Sequence, residues 1–393
     1  MTEGYVAENS KTQGKTSKRM YFLDNLKAFI ILLMVAFHVG LGYMDPQIEW
    51  WYVNDTLKNS LFNLFVLETD VYIMPIMFML AGYFTIPVLN KRGIKEFWRD
   101  KLWRIVLPWI GGSLLVAPLI AYSIIFSRTP TPPNYFSFWG NEFWGAFFQQ
   151  AHFWFLGILA LFFLLLTFVY QQNLQYFKKP AQVKMPSKWF FSLFALISAL
   201  PFFLANLVFP ADLWYTKMYL FVFQPVRLGL LACYFLLGVY AWKNAWFTLE
   251  GYNPKVLGWS IGAIVMLVVF LYYRITFTFA PNVLPLFKAG HALTFSVFCL
   301  TTTFAGIAVF HKFIDSDAYL WRRLAANSYI IYFIHQCIVI PLAYTVQQLQ
   351  MNIWLKYFGV AITSLVLCFL VAEYIITPIL SLGKKDSKSR IVS

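Results

Sequence analysis

The chain has 393 residues, of which 60% are hydrophobic, 20% aromatic and only 12% charged, more apolar surface than a single soluble core can bury. Its formal charge of +14 would suit a nucleic-acid ligand, but the Lys and Arg residues sit in short segments between apolar runs, which excludes that partner and assigns them to a membrane surface. The four cysteines, Cys233, Cys299, Cys337 and Cys368, fall inside apolar runs without Cys-x-x-Cys spacing, so they read as packing residues and imply no metal site.

Residues 1–20 form a polar, basic tail, and the apolar run that follows lacks a small-residue cleavage site, so the first helix is expected to stay as a signal anchor. Ten apolar runs then succeed one another at 22–43, 67–89, 105–126, 151–170, 189–209, 219–241, 256–273, 289–310, 324–346 and 357–380. Each is long enough, at about 1.5 Å per residue, to cross a hydrocarbon core of roughly 30 Å. The expected fold is therefore all-α, a polytopic membrane helix bundle of about ten transmembrane helices. One membrane domain over 21–382 is expected between the first tail and a second basic tail at 383–393 that includes Lys384 and Arg390.

With the first tail in the cytoplasm, the inner segments hold 23 basic residues and the outer ones 6, Lys58, Arg128, Lys217, Arg274, Lys288 and Lys356. The positive-inside rule then places both termini in the cytoplasm. Aromatic groups such as Trp50, Trp51 and Tyr52, or Phe136, Phe138 and Trp139, fit the outer interface as anchors, and the alternative for the proline-rich loop of 128–150, which holds the second group, is a cover over an outer cavity.

An ionisable side chain in lipid is costly, so each one inside a span marks a functional group or a buried partner. In the first run Asp24, Lys27 and His38 share a face: Lys27 and His38 lie within roughly 20° of each other, and their separation along the axis is about 16 Å. Asp24 is placed to pair with Lys27 at i, i+3. Glu68, Asp70, His152, Arg227, His291 and His335 fall at a depth similar to that of His38, a concentration that favours proton chemistry over packing alone. Glu373 is expected to pair with a neighbouring cation. On the cytoplasmic side Lys91, Arg92, Lys95, Arg99, Lys101 and Arg104 stand against only Glu96 and Asp100, and Lys101 and Arg104 share a helical face that suits phosphate as well as it suits anionic headgroups.

Five short motifs occur in order: Arg19-Met-Tyr-Phe-Leu-Asp24-Asn-Leu-Lys27-Ala with His38, Met79-Leu-Ala-Gly82-Tyr83-Phe84, Lys101-x-x-Arg104-x-x-x-Pro108, His152-Phe-Trp154-Phe-Leu156, and Ser328-Tyr-Ile-Ile-Tyr332-Phe-Ile-His335. Over most of its length the chain thereby resembles the acyltransferase family 3 membrane proteins, most closely their glucan-succinylating branch. The resemblance implies transfer of an acyl group, acetyl or succinyl, from cytoplasmic acyl-CoA to a hydroxyl of a glycan or small molecule near the outer face of a bacterial plasma membrane. It implies acyl-CoA as a co-substrate and no permanently bound cofactor. It associates Lys27, Lys101 and Arg104 with the CoA donor and His38 with catalysis, although arginine is commoner at the two lysine positions and a lysine lacks the bidentate fork. In the expected mechanism His38 is the general base, Glu68 or Asp70 orients it, and His335 or His152 binds the oxyanion or acceptor, with Trp154 and Arg227 as further acceptor contacts. The rival readings are a multi-pass transporter or flippase, for which prolines at 75, 225 and 341 would serve alternating access, and a catalytically silent assembly protein.

Overall fold

The computed structural model describes residues 19–179, 181–217, 219–277 and 284–380; the two expected basic tails lie outside these apart from Arg19 and Met20. The chain is helical almost throughout, and among the described residues nine helical segments are long and apolar enough to cross a membrane. The longest, Ser60–Arg128, is two spans. Gly93, at φ 76° and ψ 169°, takes a backbone conformation that only glycine holds without strain, and it turns the chain inside the cationic stretch between them. The expected ten spans are thereby recovered.

The helices used below are α1 (Tyr21–Gly40), α2 (Ser60–Lys101), α3 (Leu107–Gly111), α4 (Ala117–Arg128), α5 (Trp154–Gln172), α6 (Phe190–Val208), α7 (Pro225–Lys243), α8 (Val256–Phe277), α9 (Pro285–Phe313), α10 (Tyr319–Gln347) and α11 (Ile353–Leu370). Two π-helical turns, Leu102–Val106 and Gly112–Val116, interrupt the third span. Each lies just before a proline, Pro108 and Pro118, whose ring excludes the carbonyl four residues earlier and leaves the turn to widen. The carbonyl that Pro118 displaces, that of Leu114, accepts from Trp139 Nε1 at 3.5 Å.

Two boundaries differ from the sequence reading. Residues 219–224 are not helical: Tyr215–Lys217 (β1) and Phe221–Phe223 (β2) pair antiparallel, with Tyr215 opposite Phe223. The span starts instead at Pro225, where a missing N–H costs nothing. At its far end α8 runs on to Phe277, which brings Arg274 out of the expected loop and into the helix.

α1 is buried on nearly every side, by α2, α9, α10 and α11. α2 packs most extensively on α7, and at two glycines the backbones themselves touch: a Cβ on Gly82 would fall 2.0 Å from the Phe235 carbonyl oxygen, and one on Gly238 would fall 1.9 Å from that of Met79. Such backbone approach is how helices associate where lipid supplies no hydrophobic drive. α8 is the opposite case, a helix packed mainly on α9 with only Phe270 and Arg274 buried, so most of its surface is left to lipid.

Candidate active site

Three elements bring three imidazoles together. His38 stands in the last turn of α1, His335 in the middle of α10, and His152 in the 3-10 turn Ala151–Phe153 that opens α5. That turn is forced by Ala151 at φ 45°, a left-handed conformation unusual for alanine and typical of residues held in place by a site. The ring centroids of His38 and His335 are 4.8 Å apart and those of His152 and His335 4.5 Å.

Hydrogen bonds fix the tautomers. His335 Nδ1 lies 2.6 Å from the Tyr332 carbonyl oxygen; a carbonyl only accepts, so Nδ1 carries the proton and Nε2 the lone pair. That lone pair faces His38 Nδ1 at 3.1 Å, and the same nitrogen lies 2.9 Å from the Met34 carbonyl oxygen. The His38 proton is therefore on Nδ1, shared between these acceptors, and Nε2 is left as a base with no hydrogen bond among the described residues. His152 donates from Nε2 to the Phe333 carbonyl at 3.1 Å, and its backbone carbonyl accepts from Tyr332 Oη at 2.6 Å. Gln336 lies beside His152, and its Oε1 is buried without a partner among the described residues.

His38 is half-buried, whereas His335 is fully buried behind it. Beside His38 a narrow cleft opens between Tyr43, Trp51, Val53, Asp55, Val339 and Ala343. Trp51 stacks on the His38 ring, with centroids 5.5 Å apart and an interplanar angle of 12°. At the cleft wall Lys356 Nζ lies 2.9 Å from both oxygens of Asp55, a pair that is 0% and 4% exposed. Lys356 was expected in an outer loop; it lies instead in the first turn of α11, tying the 44–59 connection to the bundle.

The expected orienting carboxylates do not meet His38. Glu68 Oε1 accepts from its neighbour Thr69 at 2.8 Å. Asp70 pairs with Arg227 at 2.5 Å, Arg227 also reaches Asp212 at 3.3 Å, and Asp212 pairs with Arg274. The residues expected at one depth thus divide in two, because α2 turns Asp70 toward α7 and away from α1. Arg227 is engaged in this network, and His291 packs beside it. Trp154 packs edge-on against Trp214, with centroids 5.3 Å apart. The histidine's orienting partners are a backbone carbonyl and a second imidazole, and full burial behind His38 keeps His335 from touching an acceptor in the cleft directly.

At the other end of α1 the expected Asp24–Lys27 pair is replaced: Asp24 binds Arg19 at 2.8 Å, and Lys27 has no ion-pair partner among the described residues. Its charge lies within Coulomb reach of Lys101 and Arg104, so the three cations from two elements form one group. Asp100 serves Arg104 at 3.1 Å, Arg92 at 3.6 Å and Lys101 at 3.9 Å, which leaves the group with excess positive charge. Between this group and the imidazoles lie Tyr329 and Tyr332, which precede His335 at i, i+3 and i+6 along α10; Tyr329 Oη is buried without a partner among the described residues. Glu373 pairs with Arg323, as expected of a cation partner, and accepts from Asn327.

Sequence reasoning missed Trp51, Asp55, Lys356, Asp212, Arg274, and the roles of Tyr332 and Gln336. Tyr332 and His335 belong to a quoted motif, and that was the available signal. Asp55 and Lys356 are 301 positions apart, so no local pattern joins them.

Residues 20–373 match the family model for an acyltransferase domain. Glucans biosynthesis protein C of Shigella dysenteriae serotype 1 (strain Sd197) is 27% identical over 161 residues, 40% of each chain. The protein of that name from Salmonella paratyphi B (strain ATCC BAA-1250 / SPB7) is 26% identical over 218 residues, 54% of this chain and 52% of the relative. The matched region thus spans about half or less of the curated relatives' length. No solved structure matches. With a family match over nearly its whole length, on a bundle of membrane helices, the chain belongs to the acyltransferase family 3 integral membrane proteins.

Proposed function

We propose that the protein is a membrane O-acyltransferase that moves an acyl group from acyl-CoA to a hydroxyl of an acceptor held in the cleft beside His38. The observation that carries this reading is the tautomer-locked imidazole pair, which leaves Nε2 as an unengaged base on His38, a residue that lines the narrow cleft. A hydroxyl is a poor nucleophile at neutral pH. His38 Nε2 takes its proton as the oxygen attacks the thioester carbonyl, the C–S bond breaks, and the proton passes from His38 to the departing thiolate. His335, held by the Tyr332 carbonyl, accepts from His38 Nδ1–H and spreads the positive charge of the imidazolium. It does the work that a carboxylate does in other histidine sites.

The donor's phosphates bind Lys27, Lys101 and Arg104 at the cytoplasmic end. An uncharged arm reaches inward along the Tyr329–Tyr332 face over the rise of about 16 Å that separates Lys27 from His38. Similarity to proteins named glucans biosynthesis protein C supports a glycan acceptor, and the charge distribution, with the basic termini inside, supports acyl transfer near the outer face of a bacterial plasma membrane.

The test incubates purified protein and its His38→Ala variant with labelled acetyl-CoA or succinyl-CoA and candidate glycans, and follows label in the product. Loss of a general base predicts a rate lower by about 100-fold or more, with donor binding retained. Equal transfer by both proteins would overturn the role given to His38; donor-independent movement of glycan across vesicles would favour the transporter reading.

A further inference from the structure

Away from the histidine cleft, two guanidiniums from different helices, Arg227 of α7 and Arg274 of α8, converge on one carboxylate, that of Asp212. The two arginine side chains are 14% and 6% exposed, whereas Asp212 is 54% exposed and belongs to no helix, lying in the 209–224 connection. The cradle is built by the scaffold and filled by a loop. Arg227 has a separate partner in Asp70 of α2, and the carboxylate place that it shares with Arg274 is the one Asp212 occupies.

Two buried groups beside this place lack partners among the described residues: Nε of Arg227, and Nδ1 of His291, whose residue is 2% exposed on α9. An unpaired buried polar atom is destabilising, a cost that a ligand larger than the aspartate side chain would remove. A planar pair of guanidinium forks matches a carboxylate, and exchanging one carboxylate for another leaves the buried charge unchanged. The same connection is fastened to the turn that carries His152: Gln150 Nε2 donates to the Leu220 carbonyl at 2.8 Å, Trp154 packs on Trp214, and Trp109 stacks on Phe221 with centroids 5.6 Å apart.

We propose that Arg227 and Arg274 form a binding site for a carboxylate-bearing solute or glycan arriving at the outer face, and that Asp212 is its tethered occupant in the empty protein. Binding releases Asp212, and the hairpin that follows it carries the change to the His152 turn. The site and its test require no acyl transfer, so the proposal stands or falls apart from the catalytic reading.

The experiment measures binding to the purified full-length chain in detergent by calorimetry and thermal shift. Succinate and glucuronate are the probes, and glucose and sodium chloride at matched ionic strength are the controls. The wild-type protein is expected to bind the carboxylates weakly and Asp212→Asn to bind them at least about tenfold tighter, because a competitor of high effective concentration has been removed. Adding Arg274→Gln to that variant should abolish the gain. A gain for both probes assigns the site to the carboxylate alone, and a gain for glucuronate only assigns it to a sugar-borne carboxylate. If Asp212→Asn binds no tighter than wild type, or if glucose or chloride matches the probes, the proposal is overturned. Should Asp212→Asn fail to fold, Asp212→Ser removes the same carboxylate.

Discussion

His38 is defined by what its other nitrogen does. With the proton held on Nδ1 by Met34 and His335, replacing His335 by Phe removes an acceptor and the charge-spreading partner but not the base. The expected outcome is a fall in kcat of about 10- to 100-fold with KM for the donor unchanged, read from steady-state kinetics; His335→Gln, which keeps an acceptor, should recover part of it. Truncating Lys27 or Arg104 to Ala should act in the opposite way, raising donor KM with little effect on kcat, whereas Lys27→Arg should keep or improve donor affinity. At Asp212, outside the spans, desolvation of the oxygens turned to the arginines would by itself raise the carboxyl, but the Arg274 and Arg227 guanidiniums together hold it below its ordinary value. A lowered carboxylate contributes stability above the ordinary value of about 3.9 that is lost as pH falls through the folded one. The melting temperature of the wild type should therefore drop more steeply below about pH 4 than that of Asp212→Asn.

The elements obey the same physics that made them legible in sequence. The Lys27 to His38 spacing was readable because it is local, one helix and one face. His335 behind His38 was not, because the contact spans 297 positions and depends on how α10 crosses α1. Asp70 was misjudged for a related reason: hydropathy suggests a depth for it, but only the packing of α2 on α7 decides which way it points. That packing carries its own prediction. Gly82→Ala and Gly238→Ala each drive a methyl into a neighbouring backbone and should cost about 3 kcal/mol or more, as overpacking against atoms that cannot turn aside. Gly111→Ala, with nothing within 4 Å of the added methyl, should leave the melting temperature unchanged or slightly raised, and parallel thermal unfolding in detergent distinguishes them.

For the whole molecule, the bundle and its ten spans could be read from hydropathy and charge, since lipid admits only segments that satisfy their own backbone. The buried Asp55–Lys356 pair could not, because Lys356 looks like one more loop cation until α11 draws it inward. It closes the chain around the cleft, joining the connection after α1 to α11. Lys356→Met leaves a buried aspartate uncompensated and should cost about 3–5 kcal/mol of stability, and adding Asp55→Leu should restore much of it; recovery of stability without recovery of activity would show that the pair also positions Trp51 over His38.

The distance between Lys27 and His38 also has an electrical meaning. In the proposed reaction with an acetyl donor the CoA phosphates stay with the cytoplasmic cations, and only a neutral thioester arm reaches the imidazole, whereas a succinyl group would carry its own carboxylate inward. The thiolate produced there is protonated at the same depth, so the arm withdraws as a neutral thiol. The acetyl group thus traverses most of the bilayer without net charge, apart from the proton exchanged at His38. A single charge crossing the full membrane would be worth about 2.3 kcal/mol per 100 mV, enough to change a rate by tens of times. Turnover with acetyl-CoA in proteoliposomes should therefore stay nearly constant as a diffusion potential is imposed in either direction, whereas turnover with succinyl-CoA should change with the sign of the potential.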